Sequence, residues 1–104
     1  MSEKHYELKF LPLFEKDLTE ITDYITFRLG NPIAADKLAE AVEAAIYQRL
    51  PNAEAFEPYH SKRDRKYPYY RIQVKNFTVF YVVIGNVMEV RRILYGRRNW
   101  KEQI

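Results

Sequence analysis

Apolar and polar positions alternate along Tyr6-Glu7-Leu8-Lys9-Phe10-Leu11, a period of two that predicts a short strand. The period then lengthens. Phe14, Leu18, Ile21 and Ile25 recur at intervals of 4, 3 and 4 and line one face of a helix predicted from about Pro12 to Leu29. Gly30 follows as a left-handed stop, because it has no Cβ to clash in that conformation. Asn31-Pro32 starts a second helix, with Asn31 as cap and Pro32 at the first helical position, where its missing N–H costs nothing. Its apolar face is Leu38, Ala41, Val42, Ala45 and Ile46, and Pro51 ends it. The alanines allow close approach, so the two helices are expected as an antiparallel hairpin.

Residues 51–66 show no sustained period and read as a loop that ends in the run Lys62-Arg63-Asp64-Arg65-Lys66. Beyond it the period returns to two. Tyr69 to Val74, Phe77 to Ile84 and Val87 to Tyr95 are rich in β-branched and aromatic residues and are separated by Lys75-Asn76 and Gly85-Asn86, both two-residue turn candidates. Two-residue turns set Ile72 opposite Val79, Val74 opposite Phe77, Ile84 opposite Val87 and Phe80 opposite Arg91. In that register Tyr70, Ile72, Val74, Phe77, Val79, Tyr81, Val83, Met88, Val90 and Leu94 share the face the helices cover, interrupted by Arg92. The other face carries Tyr69, Arg71, Gln73, Thr78, Phe80, Glu89, Arg91, Ile93 and Tyr95 and is expected to be partly open. The fold class is therefore α+β, in the order β-α-α-β-β-β, a helical hairpin packed on one face of an antiparallel sheet.

The 104 residues suffice for one domain, 1–104, with its own core. With no cysteine and only His5 and His60, neither a disulfide scaffold nor a zinc site of the usual kind is available, and no cofactor is implied. No segment approaches the roughly 20 apolar residues that span a bilayer, so no membrane partner is expected and the default compartment is the cytoplasm. The net charge of +3 is unevenly spread. Residues 1–57 hold 6 Lys/Arg against 11 Asp/Glu, and residues 58–104 hold 11 against 3, so the halves carry −5 and +8. Such asymmetry points to a surface that meets something anionic, either nucleic acid or an acidic protein segment.

Arg71 and Arg91 fall on the open face, where the planar guanidinium suits phosphate or carboxylate, although Glu89 can neutralise Arg91. Arg92, on the covered face, is expected to anchor to a helix carboxylate, Asp17, Glu20 or Asp23. Together with Glu15 these acids spread over more than one helix face, which reads as surface rather than as an acid/base pair. Lys62, Arg63, Arg65 and Lys66 interleave with Tyr59, His60, Tyr67, Tyr69 and Tyr70, as in nucleic-acid readers or simply as a solvated loop. Arg97, Arg98 and Trp100 follow the last strand and either dock a partner or let the tryptophan fold back on the core.

The segments Tyr70-Arg71-Ile72-Gln73-Val74, Val79-Phe80-Tyr81-Val82-Val83 and Val87-Met88-Glu89-Val90-Arg91-Arg92-Ile93-Leu94-Tyr95-Gly96-Arg97-Arg98 resemble the closing three-strand signature of the RelE/ParE toxin superfamily. The resemblance spans nearly the whole chain and implies the toxin of a type II toxin-antitoxin system, neutralised by a cognate acidic antitoxin that folds on binding. RelE-like members cut messenger RNA on the ribosome, whereas ParE-like members poison DNA gyrase. Thr78 stands where RelE-like nucleases have an arginine, the chain as read ends at Ile104 without their tyrosine-bearing extension, and Arg92-Ile93-Leu94-Tyr95-Gly96 is closer to the ParE version. Gyrase is thus the expected target, with ribosome-bound mRNA as the alternative. If the chain is a nuclease, a metal-independent one, Arg71, Arg91 or Arg97 would hold the phosphate and His60 or Tyr95 would move the proton.

Overall fold

The computed structural model describes residues 5–59 and 66–96. β1 (Glu7–Phe10) leads into α1 (Pro12–Asp23), a single π-helical stretch (Tyr24–Arg28) and α2 (Pro32–Arg49), followed by a 3-10 turn (Leu50–Asn52). β2 (Tyr70–Val74), β3 (Phe77–Ile84) and β4 (Val87–Tyr95) complete the chain order β-α-α-β-β-β, an α+β fold in which two helices pack on a four-stranded sheet.

The first helix does not keep one geometry to Leu29. Its last turn widens, and the Leu29 N–H reaches five residues back to the Tyr24 carbonyl at 3.1 Å. Gly30, at φ +63, then reverses the chain as its lack of a Cβ permits. The Asn31 side chain accepts the Ala34 N–H at 3.1 Å and Pro32 opens α2. Ala35, Leu38, Val42 and Ile46 form the buried stripe of α2, flanked by the partly buried Ala41 and Ala45.

The sheet order is β1-β4-β3-β2. The meander is antiparallel as expected, but β1 pairs parallel to β4, Glu7 beside Val87 through Phe10 beside Val90, so the sheet is mixed rather than antiparallel. The chain leaves β1 to build the helical layer, and the sheet position beside β4 is the one it had occupied. Val74 opposes Phe77, Ile72 opposes Val79 and Ile84 opposes Val87, in the expected register. Phe80, however, opposes Arg92 and not Arg91, because a bulge shifts β4 by one residue between Val90 and Arg92.

That extra residue exchanges the faces of everything beyond it. Ile93 joins Val79, Tyr81, Met88 and Val90 beneath the helices, together with Phe14, Val42 and Ile46, whereas Leu94 turns to the opposite face. The opposite face is also less open than expected. Tyr69, Phe80, Val82 and Leu94 form a second buried cluster there, packed by Tyr59, Tyr67 and Ile84. Tyr59 bridges to Tyr69 ahead of β2, beside the edge of the sheet, and its ring packs on Phe80. Among the described residues, the flanks of this face are exposed, Arg71 and Gln73 on β2 and Glu7 and Lys9 on β1.

Candidate functional site

β2 carries Arg71 on the sheet face away from the helices, opposite Phe80. The exposed guanidinium carbon lies 4.9 Å from the Tyr59 ring centroid, a cation-π contact, while Tyr59 and Tyr69 meet Phe80 edge-on at 6.2 and 5.9 Å. Across the sheet, Arg91, the extra residue of the bulge, meets Glu89. Arg91 Nε donates to Glu89 Oε1 at 2.9 Å, and Lys9, next to Glu89 in register, brings its ammonium to 4.0 Å from the same carboxylate. Glu89 therefore offsets one of the two cations on that flank. β3 separates the two arginines, which at about 4.8 Å per strand puts their backbones roughly 10 Å apart, and the side chains go to different partners, Tyr59 for Arg71 and Glu89 for Arg91.

Tyr95 lies at the end of β4, opposite Phe77, with the rings 5.3 Å apart and edge-on. Four residues of strand separate it from Arg91, about 13 Å. Arg71, Arg91 and Tyr95 thus occupy three separate environments and do not converge on one atom. Lys66 is exposed, its ammonium 5.5 Å from the Tyr67 ring centroid. His60, Lys62, Arg63, Arg65, Arg97, Arg98 and Trp100 lie outside the described residues. Among the described residues there is no group of three or more His, Asp or Glu able to hold a metal ion, and no helix long and apolar enough to cross a membrane.

Arg92 reaches Asp17 on α1. Its Nε donates to Asp17 Oδ2 at 2.7 Å and a terminal nitrogen to Oδ1 at 2.9 Å, the two-point fork expected of arginine on a carboxylate. Asp17 holds the guanidinium above its ordinary pKa against the opposing effect of burial. Asp17 Oδ2 also accepts the Ile93 N–H at 3.2 Å, on the stretch of β4 that extends past its pairing with β1. A cleft of about 740 Å³ runs beside this pair, walled by Ile21 and Ile25 of the first helix and by Ile93 and Leu94 of β4. Its lip carries Tyr24, Leu29 and Tyr95, each more than half exposed.

Sequence reasoning missed Arg49. From the last turn of α2 it donates to the Tyr81 hydroxyl at 3.0 Å and to the Arg71 carbonyl at 3.2 Å, and it stacks on Phe56 with its guanidinium carbon 3.5 Å from the ring centroid. Tyr81 in turn donates to the Ala53 carbonyl at 2.6 Å. This network ties the segment after α2 to β2 beside Arg71. Its only mark in the sequence is a basic residue in a helix's last turn, which many helices share.

A family model described as "ParE toxin of type II toxin-antitoxin system, parDE" matches residues 8–100. Among solved structures, a chain of the chromosomal ParDE TA system from P. aeruginosa is 18% identical and superposes with a TM-score of 0.74, over 92% of this chain and 100% of that one. A chain of the RelB-RelE antitoxin-toxin complex from Methanococcus jannaschii is 23% identical at a TM-score of 0.44, over 84% of this chain and 88% of that one. No curated protein matches the sequence.

Proposed function

The chain belongs to the ParE toxin family of type II toxin-antitoxin systems, and on that premise we propose that it arrests growth by gripping DNA gyrase, without cutting nucleic acid, until a cognate antitoxin covers it. The observation that carries this reading is the dispersal of Arg71, Arg91 and Tyr95. Cleavage by the neighbouring 2′-hydroxyl needs a base, an acid and cations around one phosphate. Here β3 stands between the arginines, Glu89 holds Arg91, and Tyr95 lies against Phe77. Surface gripping requires no such convergence. A rigid sheet with exposed cations on its flanks, Arg71 and Lys9, supplies such a surface.

The antitoxin is a protein with an acidic segment, matched to the half of the chain that carries +8. Lys66 and Arg71, both exposed, are the members of that surface among the described residues, and Lys62, Arg63, Arg65, Arg97, Arg98 and Trp100 extend it in sequence. Purified chain added to gyrase and relaxed plasmid tests the target. Loss of supercoiling or accumulation of cleaved DNA is expected, with transcripts intact in arrested cells. Active gyrase at stoichiometric excess of the chain, with codon-positioned cuts that vanish in Arg71→Ala or Arg91→Ala, would replace this reading with the ribosome-dependent nuclease.

A further inference from the structure

The tip of the helical hairpin is apolar where a solvated turn would be polar. Tyr24, Phe27, Leu29 and Ile33 lie within six residues of Gly30 and are 55%, 75%, 60% and 67% exposed. Helical periodicity does not bury them. The π-helical stretch holds Ile25 against the core and leaves Tyr24 and Phe27 outward, and Ile33 sits on the first turn of α2, opposite to Ala35 in burial. We propose that this tip is an interface between two copies of the chain, a property separate from the choice of gyrase or ribosome as target.

Two features favour a second copy over an acidic or nucleic-acid partner. The exposed charges around the tip are Asp23, Arg28, Asp36 and Lys37, two of each sign, so the rim has no net charge and can satisfy itself across a two-fold axis. The area agrees. Four large side chains at these exposures present on the order of 500 Å², at the upper end of the apolar patch a monomer ordinarily carries. Two facing copies would withdraw about 1,000 Å² before the charged rim is counted, and with the rim the contact reaches the size of a specific interface.

Sedimentation velocity on the full chain across a hundredfold concentration range is the test, run on wild type, Phe27→Asp and Ile33→Lys, with circular dichroism to show that each variant is folded. A concentration-dependent dimer is expected, weakened about a hundredfold by either substitution, as for a central apolar anchor. A wild type that stays monomeric at the highest concentration overturns the proposal, as does a dimer that both substitutions leave intact. A monomer whose Phe27→Asp variant loses antitoxin capture assigns the tip to the antitoxin and overturns it equally. Gyrase inhibition is read in parallel and bears only on the proposed target.

Discussion

Asp17 on α1 and Arg92 on β4, 75 residues apart, are joined by two hydrogen bonds of 2.7 and 2.9 Å, and the same carboxylate accepts the backbone N–H of Ile93. The side chains are only 10% and 16% exposed, so neither charge has full access to water if its partner is removed. Asp17→Ala should cost about 3 kcal/mol, since it removes the carboxylate that takes two guanidinium bonds and the Ile93 N–H. Asp17→Leu combined with Arg92→Met should cost less than the two single changes together. Urea unfolding of the four proteins checks this. Strictly additive losses would show that the two residues act independently.

Ile93 tests the bulge. It is 1% exposed beneath the helices, where regular alternation would have put it on the open face. Ile93→Ala should therefore cost about 3 kcal/mol, the range for emptying an aliphatic core site. Leu94→Ala should be costly as well, because Leu94 is buried in the second cluster. A loss below about 0.5 kcal/mol at Ile93, typical of a surface position, would mean the register is unbroken.

Two tyrosines make stability depend on alkaline pH. Burial pushes Tyr81 up, although Arg49 pulls the other way, and burial together with the Glu54 carboxylate beside its hydroxyl takes Tyr6 up to about 12. In the unfolded chain both titrate near 10. The folded protein thus holds these protons more tightly. Their contribution is complete below about pH 10 and is lost as pH rises through the folded values. Unfolding midpoints between pH 7 and 11 should be flat and then fall. Tyr81→Phe should lower stability at pH 7 by about 1–3 kcal/mol, through the lost bonds to Ala53 and Arg49, and make the alkaline fall shallower.

The β2–β3 turn contains the one non-glycine residue at positive φ among those described, Lys75 at φ +53. A side chain there crowds its own backbone by about 1 kcal/mol. Lys75→Gly should raise stability by roughly 0.5–1 kcal/mol, and Lys75→Val should lower it, because a β-branched side chain fits that conformation worst. Thermal melts of the two variants against wild type measure the difference.

Much of the architecture was legible from residues 6–95 because helix and strand periods are local: a repeat of 3.6 or 2 sorts side chains to a face whatever lies opposite. Asn31, Gly30 and the two-residue turns could be read for the same reason, since each satisfies a backbone requirement within a few residues. Arg92 was legible in part: its carboxylate partner on the first helix was expected, but the apolar face it interrupts under regular alternation is not its own, since the bulge sets it opposite Phe80. That same interruption was the only sign of the bulge, and it was not enough to place it, because a bulge is decided by what both neighbouring strands and α1 offer β4 together.

Tertiary structure alone decided that β1 runs parallel beside β4, that Ile93 and Leu94 exchange faces, and that Tyr59 and Tyr67 cover part of the sheet expected to be open. It also brought Arg49 beside Arg71 and kept Arg71, Arg91 and Tyr95 apart. Each of these depends on chain segments tens of residues distant. Periodicity tells a residue which side to face, but the neighbour it meets there is chosen when the whole chain buries its apolar surface at once.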